Sequence, residues 1–132
     1  METIEIKLLD LYHEKILFTQ LRTGKGGEIK LTINNKFEFA KSNDLKNLKT
    51  TILTTIKDDD MRINMEFRTV GIFQLDNIDE YENPKYSQIM VNTMWPFVRN
   101  EVQLITTQPG LTPIILPLIA PFKPKEEKTI YA

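Results

Sequence analysis

Cysteine is absent from the 132-residue sequence and histidine occurs once, as His13. Without cysteine there is no disulfide framework, no thiolate-held zinc or iron–sulfur cluster and no thiol nucleophile. One histidine leaves no His-rich metal site and no histidine relay within a chain. An excess of charge is missing too. Lys+Arg number 17 and Asp+Glu 18, a formal −1, whereas a nucleic-acid binder normally shows a basic excess on one face. Long apolar runs are also lacking. The most apolar stretch, 111–122, is broken by Pro113, Pro117 and Pro121, and it falls short of the ~20 apolar residues a spanning helix needs. The N-terminal residues Met1 to Lys7 carry no basic segment followed by an apolar one, so no secretion signal is expected. These absences point to a cytosolic single domain over 1–122, with a charged, loosely ordered tail over 123–132. They also point to a protein that is not an enzyme and needs no cofactor.

What is present is alternation. Ile4, Ile6 and Leu8 alternate with polar neighbours, and Ile16 and Phe18 resume the spacing after an irregularity near Leu11 to Glu14. A bulge there lets one long first strand change the face it buries. Gly24 to Gly27 marks a turn, since glycine accepts the positive φ of tight hairpins. A second strand is expected over 28–40, with Ile29, Leu31, Ile33, Phe37 and Phe39, and a third from Leu48 to Ile56. After a turn at Asp58 to Asp60, Ile63, Met65 and Phe67 begin a fourth, and Gly71 to Leu75 leaves it for an acidic connector, 76–82. The period then becomes helical from Asn83–Pro84, because proline suits a first helical position. Tyr86, Met90, Met94, Phe97 and Leu104 form one stripe and Val91, Val98, Val102 and Ile105 a second, with Pro96 expected to kink the helix before it ends near Thr107. Five of the seven prolines lie at 109, 113, 117, 121 and 124, so the segment 111–122 should run extended or as polyproline II. The pattern predicts an α+β fold: a four-stranded antiparallel sheet, a long C-terminal helix and an extended Pro-rich tail.

Catalytic patterns do not rise above background. Gly24–Lys25–Gly26 lacks the spacing and following helix of a phosphate loop, so it reads as a hairpin turn. The aspartates at 58–60 lack the glycine and distant glutamate of a calcium loop and read as a solvated turn. His13, in the polar stretch Tyr12 to Lys15, reads as a surface residue on a strand. A small-molecule site or enzyme would need an enclosed pocket with convergent polar groups. Charge segregation is more informative. From Asp58 to Glu82 eight acidic residues face only Arg62 and Arg68, a net −6. Such a stretch either stays solvated or docks a basic partner. Met90, Met94, Trp95 and Phe97 likewise serve either packing or an adaptable apolar surface.

The order of these features resembles the SecB family of bacterial export chaperones and its SecB-like relatives. The resemblance rests on Glu66 to Phe73, on Asn92 to Arg99 with its aromatic-Pro-aromatic-x-Arg pattern, and on Gly110 to Pro117; Asp10 to Tyr12 and Ile16 to Phe18 suit the family's first strand. It implies an ATP-independent holdase that binds unfolded or precursor polypeptides in apolar grooves, here Phe37, Phe39, Phe73, Leu75, Ile78 and Trp95. It implies a homo-oligomer, a dimer or tetramer, with long helices buried between copies at Met90, Met94, Val98 and Val102. It also implies delivery to the SecA motor through acidic residues, of which Glu66 matches one. The family's acidic positions on the first strand fall at Lys15 and Thr19, and a proline-rich tail stands where a C-terminal helix is usual. A chaperone dedicated to one partner, such as an antitoxin, is the alternative the resemblance allows.

Overall fold

A computed structural model describes residues 4–20, 31–42, 46–58, 63–107, 114–117 and 128–129. Four long strands occupy most of them: β1 (Ile6–Gln20), β2 (Leu31–Lys41), β3 (Asn47–Asp58) and β4 (Ile63–Leu75). A 3-10 turn, Ile78–Glu80, leads into the helix α1 (Pro84–Thr106), and a two-residue strand, β5 (Lys128–Thr129), lies in the tail. The sheet order is β1-β4-β3-β2-β5. The long strands pair antiparallel throughout, and β5 runs parallel to β2 beside Glu38 and Phe39. The expected α+β architecture is therefore present. The Gly24 to Gly27 turn and most of the Asp58 to Asp60 turn lie outside the described residues, as does most of the 123–132 tail.

Alternation sets which face each strand buries. On β4 the side chains of Met65, Phe67, Thr69, Gly71, Phe73 and Leu75 share one face, and their β3 partners Ile56, Thr54, Ile52, Thr50 and Leu48 continue it. Phe37 and Phe39 extend that layer onto β2. These residues are buried and, with the inner face of α1, form one core. Each fully buried aliphatic or phenyl side chain contributes ~1.5–3 kcal/mol by leaving water. One polar pair is built into this layer: the Thr54 hydroxyl donates to Asn35 Oδ1 at 2.7 Å, so neither group is left unsatisfied by burial.

Gly71 and Phe73 belong to β4, which continues to Leu75 where the sequence suggested an exit. The glycine serves packing. A Cβ at position 71 would stand 2.7 Å from Phe73 Cε2 and 2.9 Å from Met94 Sδ, closer than real contacts allow, so its absence lets α1 settle on the sheet.

The helix starts as its sequence dictates. Asn83 caps it by accepting a hydrogen bond from the Lys85 amide at 3.0 Å, and Pro84 takes the first position. It runs unbroken through Pro96, which lies on the exposed side. There the carbonyl that proline leaves without a donor is available to water. The buried line is Tyr86, Ser87, Met90, Val91, Met94, Trp95, Val98, Val102 and Thr106. The first expected stripe drifts off this line after Met94: Phe97 is half-buried and Leu104 is exposed.

In β1 two register shifts occur, between Leu8 and Asp10 and between His13 and Lys15. They bracket the irregularity the sequence suggested, but the two shifts together leave Leu8 and Ile16 on one face, opposite Phe73 and Phe67. The strand therefore does not change the face it turns to the core as expected. His13 is no surface residue: paired with Thr69 on the helix-facing side, it is half-buried. Its ring stacks on Phe97 with centroids 4.2 Å apart and planes 3° from parallel.

Candidate functional site

The most informative constellation lies on one flank of α1. Trp95, Arg99 and Thr106 are spaced i, i+4 and i+11, which places their side chains along one side of a helix. All three reach the same segment of the tail. Trp95 Nε1–H donates to the Pro117 carbonyl at 2.7 Å, and Arg99 Nε–H donates to the Leu116 carbonyl at 3.1 Å. The Ile114 amide donates to Thr106 Oγ1 at 2.8 Å, while that hydroxyl donates to the Val102 carbonyl at 2.8 Å. Residues 114–117 have no regular secondary structure of their own, so their backbone groups depend on such partners. Burial alternates along them: Leu116 is 2% exposed and Ile115 68%. The extended reading of the Pro-rich segment thus holds for the part described, and the helix receives it through two consecutive carbonyls and one leucine side chain.

Of the six residues expected in an apolar groove, Phe37, Phe39, Phe73, Leu75 and Trp95 are buried in the core cluster, and Ile78 packs against it half-buried. The fold brings all six into one apolar body, closed over as it stands. Its cover on the β2 side is the acidic connector. Tyr81 lies tilted on Phe39 with ring centroids 6.1 Å apart. The Lys41 ammonium sits 5.1 Å from the Tyr81 ring centre and 3.4 Å from Asp79 Oδ1. Asp76 accepts from the Tyr86 hydroxyl at 2.8 Å, and that hydrogen bond holds its carboxyl below the usual carboxylate range. Part of the −6 stretch is therefore spent on ties within the chain.

Met90, Met94, Val98 and Val102, expected at a seam between copies, are fully buried against the chain's own sheet. A helix one face wide has turned that face inward. Exposed apolar side chains cluster on β1 instead: Leu8, Leu9, Tyr12, Ile16 and Leu17. This strand is the sheet's outer edge, and edge strands offer unpaired backbone groups to other chains.

Glu66 lies on the sheet face opposite α1 and pairs with Lys15 at 3.1 Å. Nearby, Arg68 sits between Glu14 at 3.4 Å and Glu38 at 3.8 Å. The surface around Glu66 is thus a mosaic of both signs. At the far end of β1 a shallow, open pocket of about 440 Å³ is lined by residues 4–7 and 74–76; it does not have the enclosed form of a small-molecule site. No described helix is long and apolar enough to cross a membrane.

Arg99, Thr106 and Leu116 were missed as site residues. Arg99 stood inside the aromatic-Pro-aromatic-x-Arg pattern, and its helical spacing from Trp95 was the available signal.

Comparison with known proteins gives a consistent picture. The model of the family described as SecB, preprotein translocase subunit SecB, matches residues 9–122. No curated protein matches the sequence. Among solved structures, the chain is similar to the Mycobacterium tuberculosis SecB-like chaperone, determined in complex with a peptide from an antitoxin. The TM-score is 0.69 at 10% identity, covering 87% of this chain and 88% of that one. It is also similar to a Streptococcus agalactiae protein of unknown function, with a TM-score of 0.54 at 6% identity, covering 88% and 99%.

Proposed function

The chain belongs to the SecB family, and from that premise we propose that it is an ATP-independent chaperone that holds unfolded or precursor polypeptides on apolar surface. The observation that carries this reading is the bed along α1, where a stretch of extended apolar chain is held by its backbone, with Leu116 inserted in the core. A surface that takes one such stretch suits others, because non-native polypeptide offers the same backbone groups and unburied aliphatic side chains. Holding clients in that form needs no catalytic group and no nucleotide. It shifts their folding equilibrium by mass action toward the unfolded state. The apolar set Phe37, Phe39, Phe73, Leu75, Ile78 and Trp95 is the body against which clients would lie once the chain's own cover lifts. Copies of the chain would associate through β1, whose exposed Leu8, Leu9, Tyr12, Ile16 and Leu17 support a homo-oligomer better than the inward-facing helix seam does. The setting would be the cytosol.

The test is direct. A chemically denatured, slow-folding client diluted into buffer aggregates, and the purified chain in stoichiometric excess should suppress the light scattering. Undiminished scattering would overturn the holdase reading.

A second reading, a chaperone dedicated to a single partner such as an antitoxin, is favoured by the Lys15–Glu66 pair. If delivery to SecA runs through Glu66, that carboxylate must first exchange its lysine for a group on the motor, which lowers the gain from docking. Under export delivery, Glu66→Lys weakens SecA binding at unchanged oligomeric state. Under the dedicated reading SecA binds neither form, and a pull-down from the host recovers one protein in place of many precursors.

A further inference from the structure

The segment 114–117 makes contacts that depend little on its own identity. Two of its three hydrogen bonds to α1 use the carbonyls of Leu116 and Pro117, and the third uses the Ile114 amide. Any extended chain carries these groups at the same spacing. Only Leu116 places a side chain in the core, and Ile115 points to solvent. The prolines at 113 and 117 keep the segment from becoming helical, so it is held in the shape of an extended client. Further along, Lys128–Thr129 adds to β2 beside Glu38 and Phe39, taking up sheet edge that an extended chain could also use.

We propose that residues 114–117 are a resident stand-in for the client, occupying the polypeptide site of α1, and that a client enters by displacing them. This rests on the holdase reading above and adds to it both a ligand class and a means of control. The ligand is an extended segment with an aliphatic side chain, best a leucine, whose own carbonyl and the next one meet Arg99 and Trp95. Because the stand-in is tethered, its local concentration is high and set by its linker. A weak or non-extended chain then fails to compete, while a long apolar one succeeds. The measured affinity for an added peptide equals the intrinsic affinity reduced by the fraction of sites left open.

The probe is a fluorescein-labelled peptide with the sequence of residues 112–119, made soluble by terminal lysines, added to the full chain. Leu116→Ser removes the stand-in's anchor, and this variant should bind the probe about tenfold more tightly or better than the unsubstituted chain does. With the chain isotope-labelled and the probe not, the Ile114 amide signal of the chain's own segment reports whether its hydrogen bond to Thr106 is kept. Saturating the unsubstituted chain with probe should move that signal to the position of a free amide, without any substitution that threatens the fold. Equal affinities, no binding to either form, or binding that leaves the Ile114 signal in place would each overturn the proposal. If clients are protected from aggregation yet the probe competes with nothing, the stand-in falls and the holdase reading stands. If the probe displaces the tail but no client is protected, the stand-in is upheld and the holdase reading falls.

Discussion

The two outer long strands of the sheet, β1 and β2, have similar alternating sequences and opposite fates. Leu31, Ile33, Phe37 and Phe39 on β2 stand an even number of residues apart, as do Ile6, Leu8, Ile16 and Phe18 on β1. Yet Phe39 is 1% exposed, whereas Ile16 is 44% exposed. The difference comes from what returns to each edge. Tyr81 of the connector closes over Phe39, and β5 pairs beside it. On the β1 side α1 contributes the Phe97 ring stacked on His13 and leaves Leu8 and Ile16, which face the same way as Phe73 and Phe67, in water. Alternation tells which face of a strand is apolar, and only the path of the later chain tells whether that face is covered.

The strongest way to break this comparison is to truncate one residue on each edge. Phe39→Ala should cost about 3–5 kcal/mol in urea unfolding, through lost burial and a residual cavity. Ile16→Ala should cost under about 1 kcal/mol, because the side chain is already half in water. Equal losses would mean the edges do not differ. The next largest effect concerns association. Ile16→Asp should leave the circular dichroism spectrum unchanged and raise the dissociation constant between copies about 100-fold, read by sedimentation, since a charge cannot be buried unpaired at an apolar contact. An unchanged sedimentation profile would remove β1 from the interface.

A third measurement sharpens the β1 side through pH. Burial holds the His13 imidazole below its usual 6.5, against the opposing pull of Glu101. The unfolded chain therefore binds the proton more readily, and stability should decline as pH falls from 7.5 to 5.5. Asp76, shifted down from 3.8, titrates below this window. His13→Gln should flatten the decline, whereas an equal decline in that variant would place its source elsewhere. The smallest effect is expected at Lys15–Glu66. Glu66→Gln breaks an exposed pair and should cost ~0.2–1 kcal/mol at low salt, less at high salt.

Much of the fold was legible because the periods are clean. Period-2 alternation marked the four long strands, and Asn83–Pro84 marked the helix start to the residue. Gly71 was misread as the end of β4, because a glycine in a strand signals either a break or a close approach, and only the position of Met94 decides between them. The helix stripe through Leu104 failed although Tyr86 and Leu104 stand about five full turns apart. The reason is that the buried line advances in steps of four, from Met90 through Met94, Val98 and Val102 to Thr106, and so turns around the helix to follow the sheet. The site was half visible. Trp95 was named, but the tail segment it holds comes from 22 residues away, and nothing in local spacing announces a hydrogen bond to a distant carbonyl.

The two register shifts of β1 carry a consequence for how the chain can vary in length. Leu8 faces Phe73 and Asp10 faces Ile72; likewise His13 faces Thr69 and Lys15 faces Arg68. Leu9 and Glu14 are spare residues, each lying between two neighbours that already hold adjacent places. Deleting either one leaves every other paired residue of the strand opposite its present mate and turns no other side chain over. A deletion inside β2 or β3, which run without such shifts, inverts the faces of all residues on one side of it. Gains and losses of single residues should therefore collect at positions 9 and 14, which lets the first strand change its length where the described parts of β2 and β3 cannot.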